Sequence, residues 1–167
     1  MQKVIALDIG SYSIKAVEVL NHFNSYEISN YYENIVPKID DIPSNIVISN
    51  CLAQLFTENN IVADRIVSAM PGQYISSRLI PFGFSDPNKI EAAVLAEIED
   101  SVPFSLDNMI IDQQIIGNFD NKTLVLVVLT RKNFLGGFLE NLKKIDIDPK
   151  VIDVDSLTLY NLSPYLP

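Results

Sequence analysis

The sequence predicts an α/β protein built in two parts, with a smaller block inserted into a domain whose sheet resumes late in the chain. Three observations predict it. Residues 1–36 read as three consecutive strands, and a helix-spaced segment and a fourth strand follow by residue 70. A second block with a different rhythm then intervenes, and a buried strand, "KVIDVD", returns near Val151. The order is βββαβ, then βαββα, then βα. The expected boundaries are 1–71 with 147–167 for the first part and 72–146 for the insert.

The opening strands are Lys3–Asp8, Ser13–Leu20 and Tyr26–Val36, and "NHFNS" supplies the second turn. Apolar side chains fall on both faces of Ser13–Leu20, a mixed pattern that predicts burial on more than one side. His22 lies in the turn with no metal-type residue beside it and reads as a solvated loop histidine. Ser44–Asn59 reads as a helix, with Ile48, Leu52, Leu55 and Phe56 at helical spacing and Ser44 as its N-cap. "RIVSAM" is a short buried strand ending at the Pro71-Gly72 turn signal.

In the insert, Tyr74–Phe82 is a strand, and Asp86-Pro87 opens a helix with Asp as N-cap and Pro at the first helical position. Ile90, Val94 and Ile98 form its apolar stripe, and Pro103 stops it. Met109–Gly117 and Thr123–Thr130 form a hairpin across "NFDNK". A helix from Lys132 to Lys144 contains Gly136 and Gly137, each costing it about 1 kcal/mol, and the pair is expected to mark close packing. "SLTLYNL" closes the chain as a short helix.

Composition removes several classes of function. Of 167 residues 48% are hydrophobic, so the chain is not disordered. No apolar run approaches the roughly 20 residues of a membrane span. Twelve basic against twenty-one acidic residues give a net charge of −9. No basic cluster suits nucleic acid, and an anionic membrane is a poor direct partner. At a membrane, such a protein is held by another protein. The single Cys51 excludes an internal disulfide framework and suits a reducing cytoplasm.

The chemistry concentrates in "LDIGSYSIK". Asp8, Gly10, Ser11, Ser13 and Lys15 straddle a tight strand-to-strand turn. Gly10 permits close backbone approach, so turn amides can face an anion. Ser11 and Ser13 add hydroxyl donors, Lys15 is a point charge for a terminal phosphate, and Asp8 can hold Mg²⁺ or its waters. The set is coherent for a magnesium nucleotide. A plain hairpin with ordinary turn residues accounts for the same residues. It is neither a Walker loop nor a GxGxxG fingerprint.

This stretch resembles the first phosphate motif of the actin-like ATPase superfamily. The chain is similar to the PilM-type type IV pilus assembly proteins, relatives of the FtsA cell-division proteins. "AMPGQYISSRLIPF" resembles the entry into that family's small inserted subdomain, "EIEDSVPFSLDNMIIDQQII" its helix–strand segment, and "DIDPKVIDVDSLTLYNL" the return to the first subdomain. The resemblance implies an actin-like, ribonuclease H-like mixed-sheet subdomain with an inserted α+β subdomain of strand-helix-strand-strand type.

By that resemblance Asp8 is the metal-side carboxylate, Gly10 and Ser11 the phosphate turn, and Lys15 the phosphate-facing lysine. Tyr12 stands where a small residue is usual, and its ring either narrows the pocket or points to solvent. Asp155 falls where relatives place an acidic residue that orients water or metal. Their pattern is Glu-Pro, here Asp155-Ser156, and Asp155 reads equally as a helix cap. The implied cofactors are ATP and Mg²⁺ in a two-lobed parent. This chain alone resembles only the first half, with one side of the nucleotide clamp, and is expected to bind ATP weakly or not at all. The implied partner is a cytoplasmic N-terminal peptide of a membrane-anchored pilus or secretion protein, taken between the two subdomains. The pilus motor ATPase is a further implied partner. The implied location is cytoplasmic, at the inner membrane through that protein, with no direct insertion and no nucleic acid. A scaffold that keeps the phosphate turn as a relic, and an FtsA-like division protein, are the alternatives. "GQYISS" and "VPFSLDN" are candidate partner contacts by location.

Overall fold

The computed structural model describes residues 1–162. In chain order its elements are β1 (Gln2–Ile9), β2 (Ser13–Asn21), β3 (Tyr26–Ile35), α1 (Ser44–Glu58), β4 (Arg65–Met70), β5 (Ser76–Phe82), α2 (Pro87–Glu99), β6 (Met109–Phe119), β7 (Lys122–Arg131), α3 (Lys132–Lys143), β8 (Val151–Val154) and α4 (Asp155–Leu162). Two compact units result. One comprises Met1–Gly72 and the segment beginning at Gly137, the other Gln73–Gly136.

The first unit is a mixed five-stranded sheet in the order β3-β2-β1-β4-β8. Short turns make β1, β2 and β3 an antiparallel meander, while β4 and β8 run parallel to β1. Parallel pairing needs long connections: α1 supplies the one into β4, and the whole second unit lies between β4 and β8. Ile5, Leu7, Ile14 and Ala16 alternate onto one sheet face and pack with Val47, Cys51, Leu52 and Leu55 of α1. Leu52 is fully buried, and its truncation to Ala would cost about 2–5 kcal/mol. Phe138, Leu142 and Ile145 join this same core. The end of α3, placed with the insert by sequence, therefore belongs by packing to the first unit.

Glu18 continues the inward row of Ile14 and Ala16 and is only 5% exposed. A β-bulge opposite it gives β3 an extra residue, bringing two donors onto one carboxylate. The Ser29 hydroxyl donates to Oε1 at 2.7 Å and the Asn30 amide at 3.1 Å, while Lys3 Nζ lies 3.1 Å from Oε2. The Ser29 hydrogen bond, outweighing the opposing desolvation and helped by Lys3 and Asn30, holds the carboxyl below its ordinary range.

Ser44 is the first residue of α1 and not its cap. Pro43 occupies the cap position with no side-chain hydrogen bond, and its carbonyl accepts from the Ile46 and Val47 amides. The fixed φ of proline already sets the entry of the chain there.

The second unit is an antiparallel sheet in the order β5-β7-β6, with α2 on one face. Asp86 caps α2 by accepting from the Asn88 and Lys89 amides at 3.0 and 3.2 Å. Ile90, Val94 and Ile98 pack with Phe82, Val125, Val127 and Leu129. Asp120 and Asn121 both have positive φ, 50° and 59°, the backbone that a two-residue hairpin turn requires. β5 begins at Ser76, because Gly72–Tyr74 forms one 3-10 turn before it. Gly136 and Gly137 do not mark close packing: a Cβ at either would meet nothing within 4 Å.

Candidate functional site

Because β1, β4 and β8 are parallel, their carboxyl ends lie along one edge of the sheet, where open α/β sheets bind ligands. Asp8 is the penultimate residue of β1, and the β1–β2 turn, Gly72 and Asp155 follow those ends. Asp8 and Lys15 are directly opposed in the β1–β2 ladder, with Lys15 Nζ 3.5 Å from Asp8 Oδ2. Lys15 in turn opposes Glu33 on β3, whose Oε2 accepts from the Tyr31 hydroxyl at 3.1 Å. Desolvation of the Tyr31 phenol, then the hydrogen bond to Glu33, raises its pKa.

The turn itself is tightly closed. The Gly10 amide donates to the Ser13 carbonyl at 3.1 Å, and the Tyr12 carbonyl accepts from the Val36 amide at 2.8 Å. A Cβ on Gly10 would sit 2.9 Å from the Ser13 carbonyl oxygen, so only glycine fits without a shift. Among the described residues, the amides of Ser11 and Tyr12 have no acceptor. Ser11 is exposed, whereas Ser13 is buried at the start of β2. The Tyr12 ring is 72% exposed and does not narrow the turn. Two free amides, one exposed hydroxyl, one ammonium and one exposed carboxylate are a donor set that fits a phosphate ester with its divalent cation. Among the described residues there is no group of three metal-type side chains, so a cation here would take most ligands from phosphate and water.

Asp155 opens α4. Its Oδ2 accepts from the Gly72 amide at 2.9 Å and its Oδ1 from the Ser156 amide at 2.5 Å. The carboxylate thereby ties the start of α4 to the chain leaving β4. A Cβ at Gly72 would come within 3.1 Å of Oδ1, so glycine permits this approach.

The second unit holds a pocket of about 260 Å³. Gln73, Tyr74, Ile75 and Ser76 of "GQYISS" line it together with Val102, Pro103 and Phe104 of "VPFSLDN". Thr130 pins one wall by donating its hydroxyl to the Tyr74 carbonyl at 2.7 Å. Sequence reasoning missed Arg131 and Phe134. The Arg131 guanidinium lies 4.6 Å from the Phe104 ring centre and 4.3 Å from that of Phe134, which also packs on Tyr74 at 5.2 Å. No single local spacing signals this: the residues come from three separate stretches.

The mixed five-stranded sheet, with its β1–β2 hairpin, and the inserted three-stranded unit define an actin-like fold. More particularly, the chain belongs to the type IV pilus assembly protein PilM family, whose model matches residues 6–166. Among solved structures it is similar to a chain of the PilM–PilN type IV pilus biogenesis complex, with a TM-score of 0.79 and 22% identity over 97% of this chain and 50% of that one. It is also similar to the cytoplasmic domain of EpsL, an inner membrane component of the type II secretion system of Vibrio cholerae. There the TM-score is 0.59 and the identity 12%, over 90% of this chain and 57% of that one. The chain thus spans about half the length of these structures. No curated protein matches it. Among the described residues no helix is long and apolar enough to cross a membrane.

Proposed function

We propose that this chain is the nucleotide-site half of a PilM-type assembly protein on the cytoplasmic side of the inner membrane, where it takes a short peptide of a membrane-anchored partner. The observation that carries the proposal is the family match over residues 6–166 together with the likeness, over 97% of this chain, to a chain of a PilM–PilN complex. The small unit's pocket, where "GQYISS" and "VPFSLDN" meet, is the candidate peptide contact. A link from this platform to the motor ATPase belongs to the same reading.

In the two-lobed parent, the Ser11 and Tyr12 amides would face the phosphates of ATP. Lys15 would neutralise a terminal phosphate, and Asp8 would hold Mg²⁺ or its waters. A magnesium nucleotide held by these residues would supply charge at the hairpin. Asp155 is the candidate residue for orienting water or metal there, in addition to its structural bonds to the Gly72 and Ser156 amides. The Asp8–Lys15 pair supports a second reading, a scaffold in which the two charges of the hairpin neutralise each other. Nucleotide binding by the full-length protein discriminates the two. Loss of binding in Asp8→Asn and Lys15→Ala supports the nucleotide site; no nucleotide binding in the wild type, or binding unchanged in both variants, defeats it.

A further inference from the structure

We infer that the small unit's pocket reads a carboxylate: it takes an Asp or Glu side chain of the partner peptide, flanked by apolar residues, with Arg131 as the specificity-determining residue. The inference rests on the peptide-binding reading above and deepens it. Its basis is the state of Arg131. Two phenylalanine rings, Phe104 and Phe134, lie against the guanidinium at 4.6 and 4.3 Å. They restrict the movement of the plane, so less freedom is lost when it binds. Among the described residues no carboxylate or other oxygen accepts from Arg131. A guanidinium carries five donors and no acceptor, and its best complement is a bidentate carboxylate.

The pocket's charge points the same way. The chain carries a net −9, yet the pocket lining contains two arginines and no Asp or Glu. Arg78 is already engaged, donating to the hydroxyl and carbonyl of Ser101 at the end of α2. Arg131 is therefore the free cation among the described lining residues. At about 260 Å³ the pocket is smaller than the roughly 300–1,000 Å³ of typical small-molecule sites. That volume suits one or two side chains. Tyr74, Val102, Met109 and Leu129 offer apolar surface beside the guanidinium, so an acidic residue with apolar neighbours complements both halves of the pocket.

The test uses a pentapeptide, acetylated and amidated at its ends, with a central glutamate between two leucines, and its glutamine analogue. Each is titrated into ¹⁵N-labelled wild type, Arg131→Gln and Arg131→Lys, with thermal melts confirming that each variant is folded. The expected result is that the glutamate peptide shifts resonances of residues 73–76 and 131–134 and that the glutamine analogue binds about tenfold more weakly. Arg131→Gln abolishes that discrimination, and Arg131→Lys, which keeps the charge without the fork, retains part of it and decides the matter if the glutamine variant does not fold. Equal affinity of the two peptides for wild type overturns the inference, as do shifts confined to other residues. The cognate partner's cytoplasmic segment is titrated in parallel. Binding of that segment that the Arg131 variants leave unchanged overturns the carboxylate inference and leaves the partner reading intact. Absence of its binding to wild type overturns both.

Discussion

Replacing Gly10 by alanine should damage the β1–β2 hairpin in a way that can be worked out from its geometry. The added Cβ would lie 2.9 Å from the Ser13 carbonyl oxygen, where ordinary contact begins at 3.4 Å, a deficit of about 0.5 Å. The clash is with backbone, so no side chain can turn away. Two hydrogen bonds resist relief by turn movement, from the Gly10 amide to Ser13 and from the Val36 amide to Tyr12. Overpacking of this kind costs about 1–3 kcal/mol. For a chain of this size each kcal/mol lowers Tm by about 2–4 °C. Gly137→Ala is the internal control, since its Cβ would meet nothing within 4 Å inside a helix. That substitution should stabilise by about 0.5–1 kcal/mol. Thermal denaturation followed by circular dichroism at 222 nm should therefore move the two variants in opposite directions. A Gly10→Ala protein that melts at or above the wild-type temperature would refute the closed-turn geometry.

Three further outcomes are expected. Glu18 has a folded pKa below its ordinary 4.5, so its contribution is fully present above that value and is lost as pH falls through the lower, folded value. Denaturant midpoints of wild type should fall more steeply below pH 4.5 than those of Glu18→Gln, whose offset at neutral pH should be about 1–3 kcal/mol; parallel pH profiles would count against the buried network. Asp155→Ala removes the acceptor of the Gly72 and Ser156 amides and should cost about 0.5–2 kcal/mol by urea denaturation, with Asp155→Asn recovering part of it. If the β1–β2 hairpin is one side of a nucleotide clamp, as proposed, calorimetric titration of this chain with MgATP should give no micromolar binding, because most of the phosphate charge is left unpaired; a micromolar Kd would overturn that expectation.

Local chemistry was legible where the determining residues are close in sequence. The seven-residue step from Asp8 to Lys15 across a Gly-Ser turn leads directly to two side chains opposed in a ladder. Asp86-Pro87 before a stripe at 90, 94 and 98 leads to a capped helix on a sheet. Two features followed a different cause. Glu18 sits in an inward row because a bulge on the neighbouring strand supplies its donors, a pairing that periodicity within one strand cannot register. Gly136 and Gly137 face open space, since helix propensity reports a local cost and nothing about what lies beside the helix. "GQYISS" and "VPFSLDN" were candidates by location alone, and residues of both line one pocket. Its cation, Arg131, was invisible: Phe134 follows it by one helical turn, but Phe104 lies far back in sequence, before β6, and reaches it through the register that pairs Met109 with Arg131.

On the function proposed here, this chain receives a membrane-anchored partner's cytoplasmic peptide at the small unit's pocket. The most direct test is to titrate that segment into the ¹⁵N-labelled chain and map the perturbed amides. Saturable shifts centred on residues 73–76, 102–104 and 131–134 are predicted. A folded protein that shows no shifts, or shifts centred on β3 and the far edge of the five-stranded sheet, would contradict it.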